Sequence, residues 1–313
     1  METPLVLEKW PGVISTVTIG ATAQEGGTRS HSLKIGGQSS MPLLFKEGAN
    51  PNKPKLAFEV WDVAPSDFDE EVIKAFGKEI NDPLVWAEIC VNKFKAELLC
   101  LKMQGTHPDF GNKSPEEAAK FVSAFLSKVK VPLIITGSGD DSKDNLVMPA
   151  CSEAAKKERC LVGSAVQDNY KTLTASVLAD GHSIIAESPI DINIAKQLNI
   201  LISDMGLPLE RIVIDPTIGA LGYGLEYAYS IMERARLAAL SGDKTLASPF
   251  ICFVGQEAWR AKEAKTNPEQ GIMWETLTAS NLIQSGADVL VMRHPKAFTN
   301  VSNYIEELFN LGS

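Results

Sequence analysis

With 313 residues, 44% of them hydrophobic and 22% charged, the chain has the composition of a folded globular protein and enough sequence to bury one large core. A net charge of −9, with no basic cluster interleaved with aromatics, sets its field against polyanions and excludes nucleic acid as a partner. No apolar run approaches the roughly 20 residues needed to cross a bilayer. The N-terminal METPLVLEKWPG lacks a basic region followed by an apolar stretch, so the expectation is a cytoplasmic protein with no membrane partner.

In chain order, the first predicted element is a hairpin. Strand-like runs at 13–19 and 32–35 flank the Gly26-Gly27 turn, and a Pro/Asn-rich linker, Asn50-Pro51-Asn52-Lys53-Pro54, follows. Residues 1–54 are therefore expected to form an N-terminal hairpin and linker closing the bottom of a barrel built by residues 55–313. Within the hairpin, Thr28-Arg29-Ser30-His31 has the residue types of an anion site, but such polar clusters more often pack as turns, and a turn against the barrel floor is expected.

Beyond the linker, apolar strand-like runs recur at 56–60, 97–102, 132–136, 160–165, 183–187, 211–215, 250–254 and 288–293, the eight that a closed barrel requires. Between them, stretches at 115–129, 171–178, 192–205, 223–240, 273–285 and 301–311 carry apolar residues at helical spacing. Start signals agree: in Ser114-Pro115-Glu116-Glu117, Ser caps, Pro takes the first turn and the acids complement the helix dipole. The strands are short and continuously apolar, as when one face fills a barrel and the other meets helices. The fold class is α/β, a (β/α)8 TIM barrel with an N-terminal hairpin extension; a doubly wound open sheet is the alternative.

The tract 211–244 marks the functional face. A β-branched strand stops at Asp215-Pro216, passes through a Gly-rich loop and becomes a long helix, which puts the polar loop at the strand's C-terminal end, where parallel α/β proteins bind ligands. The other post-strand loops, among them Met103-Gln104-Gly105-Thr106, Gly137-Ser138-Gly139-Asp140 and Val166-Gln167-Asp168-Asn169, are rich in amides, hydroxyls and glycines and poor in activated nucleophiles. Such a rim suits hydrogen bonding to a large polar ligand more than acid–base catalysis. Asp215 before Pro is expected to accept loop amides.

Several motifs are absent. Cys90, Cys100, Cys151, Cys160 and Cys252 are scattered, so neither a zinc knuckle nor an iron–sulfur loop can be built locally. No P-loop, nucleophile elbow or H-E-x-x-H occurs, and Gly222-Tyr223-Gly224 lacks the third glycine of a dinucleotide fingerprint. His31, His107, His182 and His294 are dispersed. Asp180-Gly181-His182 begins like a cobalt-ligating D-x-H-x-x-G signature, but Ile185 stands at the final Gly.

Taken together, Gly26-Gly27-Thr28-Arg29-Ser30-His31, Ser188-Pro189-Ile190-Asp191-Ile192-Asn193, Ile214-Asp215-Pro216-Thr217-Ile218-Gly219, Glu257-Ala258-Trp259-Arg260-Ala261-Lys262 and Met292-Arg293-His294-Pro295 give a chain that resembles, over nearly its whole length, the small subunit of the corrinoid/iron–sulfur protein of the anaerobic acetyl-CoA (Wood–Ljungdahl) pathway. The resemblance implies a heterodimer with a large subunit carrying a 4Fe–4S cluster and a cobalamin-binding domain, the base-off corrinoid being held between that domain and this barrel's C-terminal mouth. It implies that cobalt takes a methyl group from methyltetrahydrofolate through a separate methyltransferase and delivers it to acetyl-CoA synthase/CO dehydrogenase. This chain is then a non-catalytic subunit supplying shape, hydrogen bonds and exclusion of water.

On that resemblance, contacts to the corrin amides or phosphate tail are expected on the loops at Gln104, Thr106, Ser138, Gln167, Asn169, Ser188, Thr217 and Gly219. The rival is a pterin-binding methyltetrahydrofolate methyltransferase barrel, similar in fold, in which Asp191, Asn193 and Asp215 would read a pteridine ring. An aldolase-type barrel lacks support, because Lys102 is followed by apolar Met103 and has no evident partner. The aromatics of Leu221-Gly222-Tyr223-Gly224-Leu225-Glu226-Tyr227, near the mouth, are a candidate subunit interface, with packing of the helix onto the barrel as the equal alternative.

Overall fold

A computed structural model of the chain describes residues 6–312. Residues 1–5 and Ser313, at the outer ends of the expected division at residue 54, lie outside the described residues. The β-branched apolar runs form eight parallel strands: β3 (Lys55–Trp61), β4 (Leu99–Lys102), β5 (Leu133–Thr136), β6 (Leu161–Ala165), β7 (Ser183–Glu187), β8 (Ile212–Asp215), β9 (Phe250–Cys252) and β10 (Ala287–Met292). They close as β10-β3-β4-β5-β6-β7-β8-β9, a barrel rather than an open sheet. Before them, β1 (Thr16–Ile19) and β2 (Leu33–Gly36) pair antiparallel, Thr16 opposite Gly36, as the predicted hairpin.

Helices α1 (Glu70–Phe76) and α2 (Pro83–Asn92) follow β3, then α3 (Pro115–Lys128), α4 (Asp141–Ala154), α5 (Tyr170–Asp180), α6 (Ile192–Asp204), α7 (Leu225–Leu240), α8 (Val254–Ala258), α9 (Pro268–Ser285) and α10 (Pro295–Gly312). Residue 254, expected to end a strand, instead opens α8. The last two long helices begin earlier than their apolar spacing suggests, because each starts with a proline in its first turn; Asn267 caps α9 by accepting the Gln270 N–H at 2.9 Å.

The core has two compartments. Helix faces pack on the outside of the strands, while the barrel interior holds a separate cluster in which Val17, Ile19, Leu33 and Ile35 of the hairpin meet Ala57, Leu98, Cys100, Ile134, Leu161, Ile185, Val213, Ile251, Val289 and Val291. The hairpin's four apolar side chains are thus the floor of the barrel, each contributing about 1.5–3 kcal/mol as an upper estimate. Polar contacts fix them there. Arg29, 3% exposed, binds Glu158 at 2.8 Å and donates to the carbonyls of Val129 (2.6 Å) and Leu126 (2.8 Å) at the end of α3. A cation at a helix C-terminus is favoured by the dipole, and the Thr28–His31 segment is accordingly a packed turn.

Candidate functional site at the barrel mouth

Side chains two apart on a strand share a face, so the residues above the apolar layer can be read off directly. Over Ala57, Cys100, Ile134, Leu161, Ile185, Val213, Ile251 and Val291 stand Glu59, Lys102, Thr136, Gly163, Glu187, Asp215, Phe253 and Arg293. One step along the barrel axis therefore takes the interior from wholly apolar to mostly charged. Two adjoining cavities open above this step. The inner one, of about 220 Å³, is lined by Glu59, Lys102, Thr136, Glu187, Asp215, Thr217, Phe253 and Gln256 among others. The outer one, of about 500 Å³, is walled by Trp61, Phe68, Trp259, Gln104, Ser138, Arg260 and Arg293. Lys102, Gly139 and Gln256 border both.

On the β3/β10 side the charges are paired. Arg293 donates to both oxygens of Glu59, at 2.8 and 2.9 Å, and the Trp61 indole N–H adds a bond of 2.6 Å. Burial works to raise the Glu59 carboxyl, but the charge and hydrogen bonds of Arg293 outweigh it and hold it at about 2. The guanidinium also lies 4.1 Å over the Phe68 ring. Behind it, buried Glu275 accepts the N–H groups of Arg293 (2.6 Å), His294 (3.1 Å) and the Trp259 indole (2.8 Å); burial still lifts its carboxyl to about 7. His294 takes the Lys296 N–H on Nδ1 at 3.1 Å, and burial lowers its imidazole to about 4, so it is a structural neutral histidine.

Lys102 does have partners, which corrects the sequence expectation. Its Nζ donates to Gln256 Oε1 at 3.1 Å and lies 5.5 Å over the Trp61 ring. Residues distant in sequence supply both, so no local pattern discloses them. Burial lowers its ammonium, opposed by Glu59.

On the β7/β8 side the charges are not paired. Glu187 and Asp215 are register partners at the ends of adjacent strands. Asp215, 5% exposed, accepts the Thr217 N–H at 2.9 Å, the loop-amide role expected for it. Burial, then the neighbouring Glu187, pushes its carboxyl well above the usual range, and burial likewise raises Glu187. Beside them Asp144 is wrapped by the Ser138 N–H (2.8 Å), Ser138 hydroxyl (2.9 Å) and Gly139 N–H (2.9 Å).

The eight loop residues singled out from sequence distribute unevenly. Gln104 and Ser138 line the outer cavity and Thr217 the inner one. Thr106 is fully buried and donates to the Met103 carbonyl. Asn169 accepts the Val166 N–H and donates to the Ser164 carbonyl, and buried Ser188 donates weakly to the Asp215 carbonyl. Gln167 is exposed. Gly219 serves a close backbone approach, since a Cβ there would lie 2.3 Å from the Tyr223 carbonyl. Of the three residues considered for a pteridine, Asp191 caps α6, Asn193 is exposed on that helix, and Asp215 lines the inner of the two cavities. Glu59, Lys102, Glu187 and Arg293 are the functional candidates that loop-based reasoning passes over; each is a charge at or near the C-terminal end of an apolar strand, which is the available signal.

Tyr223 and Tyr227 are 47% and 62% exposed, and the Tyr223 hydroxyl donates to Glu263. All five cysteines are buried free thiols, and among the described residues no group of three or more His, Cys, Asp or Glu is placed to hold a metal ion. Among the described residues, no helix is long and apolar enough to cross a membrane.

Comparison with known proteins adds three findings. The model of the family described as CO dehydrogenase/acetyl-CoA synthase delta subunit matches residues 16–302. Relatives include the acetyl-CoA decarbonylase/synthase complex subunit delta of Methanocaldococcus jannaschii, 36% identical over 92% of this chain and 72% of that protein, and that of Archaeoglobus fulgidus, 34% identical over 97% and 69%. Among solved structures, Xanthomonas albilineans dihydropteroate synthase superposes with a TM-score of 0.59 over 88% of this chain and 99% of that one, at 13% identity, a likeness of fold alone.

Proposed function

The chain belongs to the CO dehydrogenase/acetyl-CoA synthase delta subunit family, and from that premise we propose that it is the barrel subunit that caps a corrinoid held by a larger partner. In this reading a 4Fe–4S cluster and the cobalamin-binding domain sit on the partner, and the pair carries a methyl group from a methyltetrahydrofolate methyltransferase to acetyl-CoA synthase. The observation that carries it is the chemistry of the outer cavity. Its wall joins flat aromatic surfaces, Trp61, Phe68 and Trp259, to amide and hydroxyl groups, Gln104, Gln256 and Ser138. That combination fits a broad macrocycle fringed by carboxamides. No thiol borders that cavity, and its one imidazole, His107, accepts the Asp109 N–H on Nδ1 at 3.1 Å.

The corrinoid, when bound, supplies the metal centre that holds the methyl group. This chain's part is to orient and enclose. Trp61 and Phe68 are fixed by Arg293, which is itself locked on Glu59, so the aromatic wall is rigid before any ligand arrives. Closing such a wall over a reactive centre excludes water from it. Gln104, Ser138 and Thr217 are the loop contacts this reading retains, exposed Gln167 is left without a role, and Thr106, Asn169, Ser188 and Gly219 act in it through the loops they shape.

The test is reconstitution. Mixed with cobalamin and a candidate large subunit bearing the cluster, the chain is expected to form a defined heterodimer whose corrinoid absorption survives gel filtration only when both chains are present. A chain that ignores the large subunit and binds methyltetrahydrofolate alone overturns the reading in favour of the pterin methyltransferase.

A further inference from the structure

Helix α9 presents to solvent a face unlike that of its neighbours. We propose that this face is a self-association surface, on which a second copy of the chain packs its own α9 antiparallel across a two-fold axis near Leu277.

Three observations carry it. The first is spacing. Gln270, Met273, Leu277, Ser280 and Gln284 recur at alternating intervals of three and four residues, which keeps them on one stripe, the seam pattern of paired helices. Met273 and Leu277 lie within it and are 56% and 40% exposed. The second is charge. Among its residues α9 carries two acids, Glu269 at its start, held by Lys296 at 2.8 Å, and Glu275, which is fully buried. The flanking helices α7 and α10 instead expose Glu226, Glu233, Arg234, Glu306 and Glu307. Third, the short polar groups on this side are spent within the helix. The Thr276 and Ser280 hydroxyls and the Asn281 amide each donate at 2.8 Å to the carbonyl four residues earlier. What remains at the centre of the stripe is hydrocarbon and thioether, which gain by leaving water.

Charge also decides the occupant. A partner of different sequence can meet a charged face with opposite charges, whereas across a two-fold axis each charge near the axis faces its own like. In a chain of net charge −9, self-association therefore needs a stripe free of formal charge, and α9 supplies one. Depletion of charge with enrichment of Met is also the composition of interface centres. Pairing about Leu277 sets that side chain against its own copy and Gln270 against Gln284 of the other copy, amide to amide. Neither Met273 nor Leu277 lines either cavity, so the contact leaves the mouth open and is independent of the corrinoid reading.

The experiment is sedimentation equilibrium of the full chain over a wide concentration range, alone and with the candidate large subunit. A reversible dimer of the chain alone is expected. Leu277→Glu sets like charges against each other across the axis and Met273→Glu buries one in the seam, so each is expected to weaken the dimer at least tenfold. Leu178→Glu, at a 39% exposed leucine of α5, is expected to leave it unchanged. Because the five native thiols are buried, Leu277→Cys is expected to yield a disulfide-linked dimer on mild oxidation by copper phenanthroline, and Leu178→Cys is not. Unfolding midpoints check that each variant is folded, and if Leu277→Glu fails to fold, Met273→Glu decides. A chain that stays monomeric, or a dimer indifferent to both glutamate substitutions, overturns the proposal. A monomeric parent whose heterodimer with the large subunit is lost in Leu277→Glu overturns it too, by giving the face to that subunit.

Discussion

Glu59 and Glu187 stand at the same height in the barrel on opposite sides of it, and their fates differ. Glu59 has a bidentate arginine, an indole N–H and a nearby ammonium, and is held ionised. Glu187 has another carboxylate as its register partner and no cation bound to it, and is held toward its neutral form. The lesson is that a buried charge says little by residue type; its partner decides whether it serves the scaffold or waits for a ligand.

The comparison breaks most sharply at Arg293. Arg293→Ala leaves Glu59, 2% exposed, without its counterion and is expected to cost about 3–5 kcal/mol in denaturant unfolding. Adding Glu59→Gln should recover much of that loss, whereas Glu187→Gln, on the side lacking a cation, should cost nothing measurable. Acid titration sharpens the same contrast. Since the folded Glu59 carboxyl lies at about 2, below its ordinary 4.5, its contribution is complete above pH 4.5 and is lost as pH falls from 4.5 toward 2. Glu275 acts in the opposite sense: raised from 4.5 to about 7, it makes stability fall as pH rises through that interval and level off above it. Glu275→Gln should remove that slope, read from midpoints at pH 5, 6, 7 and 8.

A smaller effect is expected at Gly137, where a Cβ would sit 2.2 Å from the Asp144 carboxylate that organises the Ser138–Gly139 loop. Gly137→Ala should cost about 1–3 kcal/mol and weaken ligand binding at the mouth, measured by unfolding and calorimetry together. Smallest is Ser114→Ala, remote from both charged sides, which removes the cap of α3 (Ser114 Oγ to Glu117 N, 3.2 Å) and should cost about 1 kcal/mol with no change in binding.

The fold was legible because barrel strands are buried on both faces. Runs such as Leu133–Thr136 and Ile212–Asp215 have few polar residues to blur them, and all eight appear within two residues of expectation. Helices lacking a clear polar side were harder. In α2, Pro83-Leu84-Val85-Trp86-Ala87 is apolar without period, and α4 carries Pro149 inside a polar sequence, so neither shows the stripe that marks α3 or α6. The site was legible as a face and not as a set of residues. Loop composition points to the mouth, yet hydroxyls and amides such as Thr106 and Asn169 satisfy their own loops. The charges that shape the cavities sit at the C-terminal ends of strands, where pairing depends on neighbours distant in sequence, as Glu59 and Arg293 are.

The hairpin floor has a kinetic consequence. With Val17, Ile19, Leu33 and Ile35 filling the bottom, the barrel is a cup with one opening rather than a tube. Whatever occupies the inner cavity must leave by the way it came, past Lys102, Gly139 and Gln256. A partner seated across the rim would then act as a stopper, and the residence time of a small molecule beneath it would be set by how often the two proteins part.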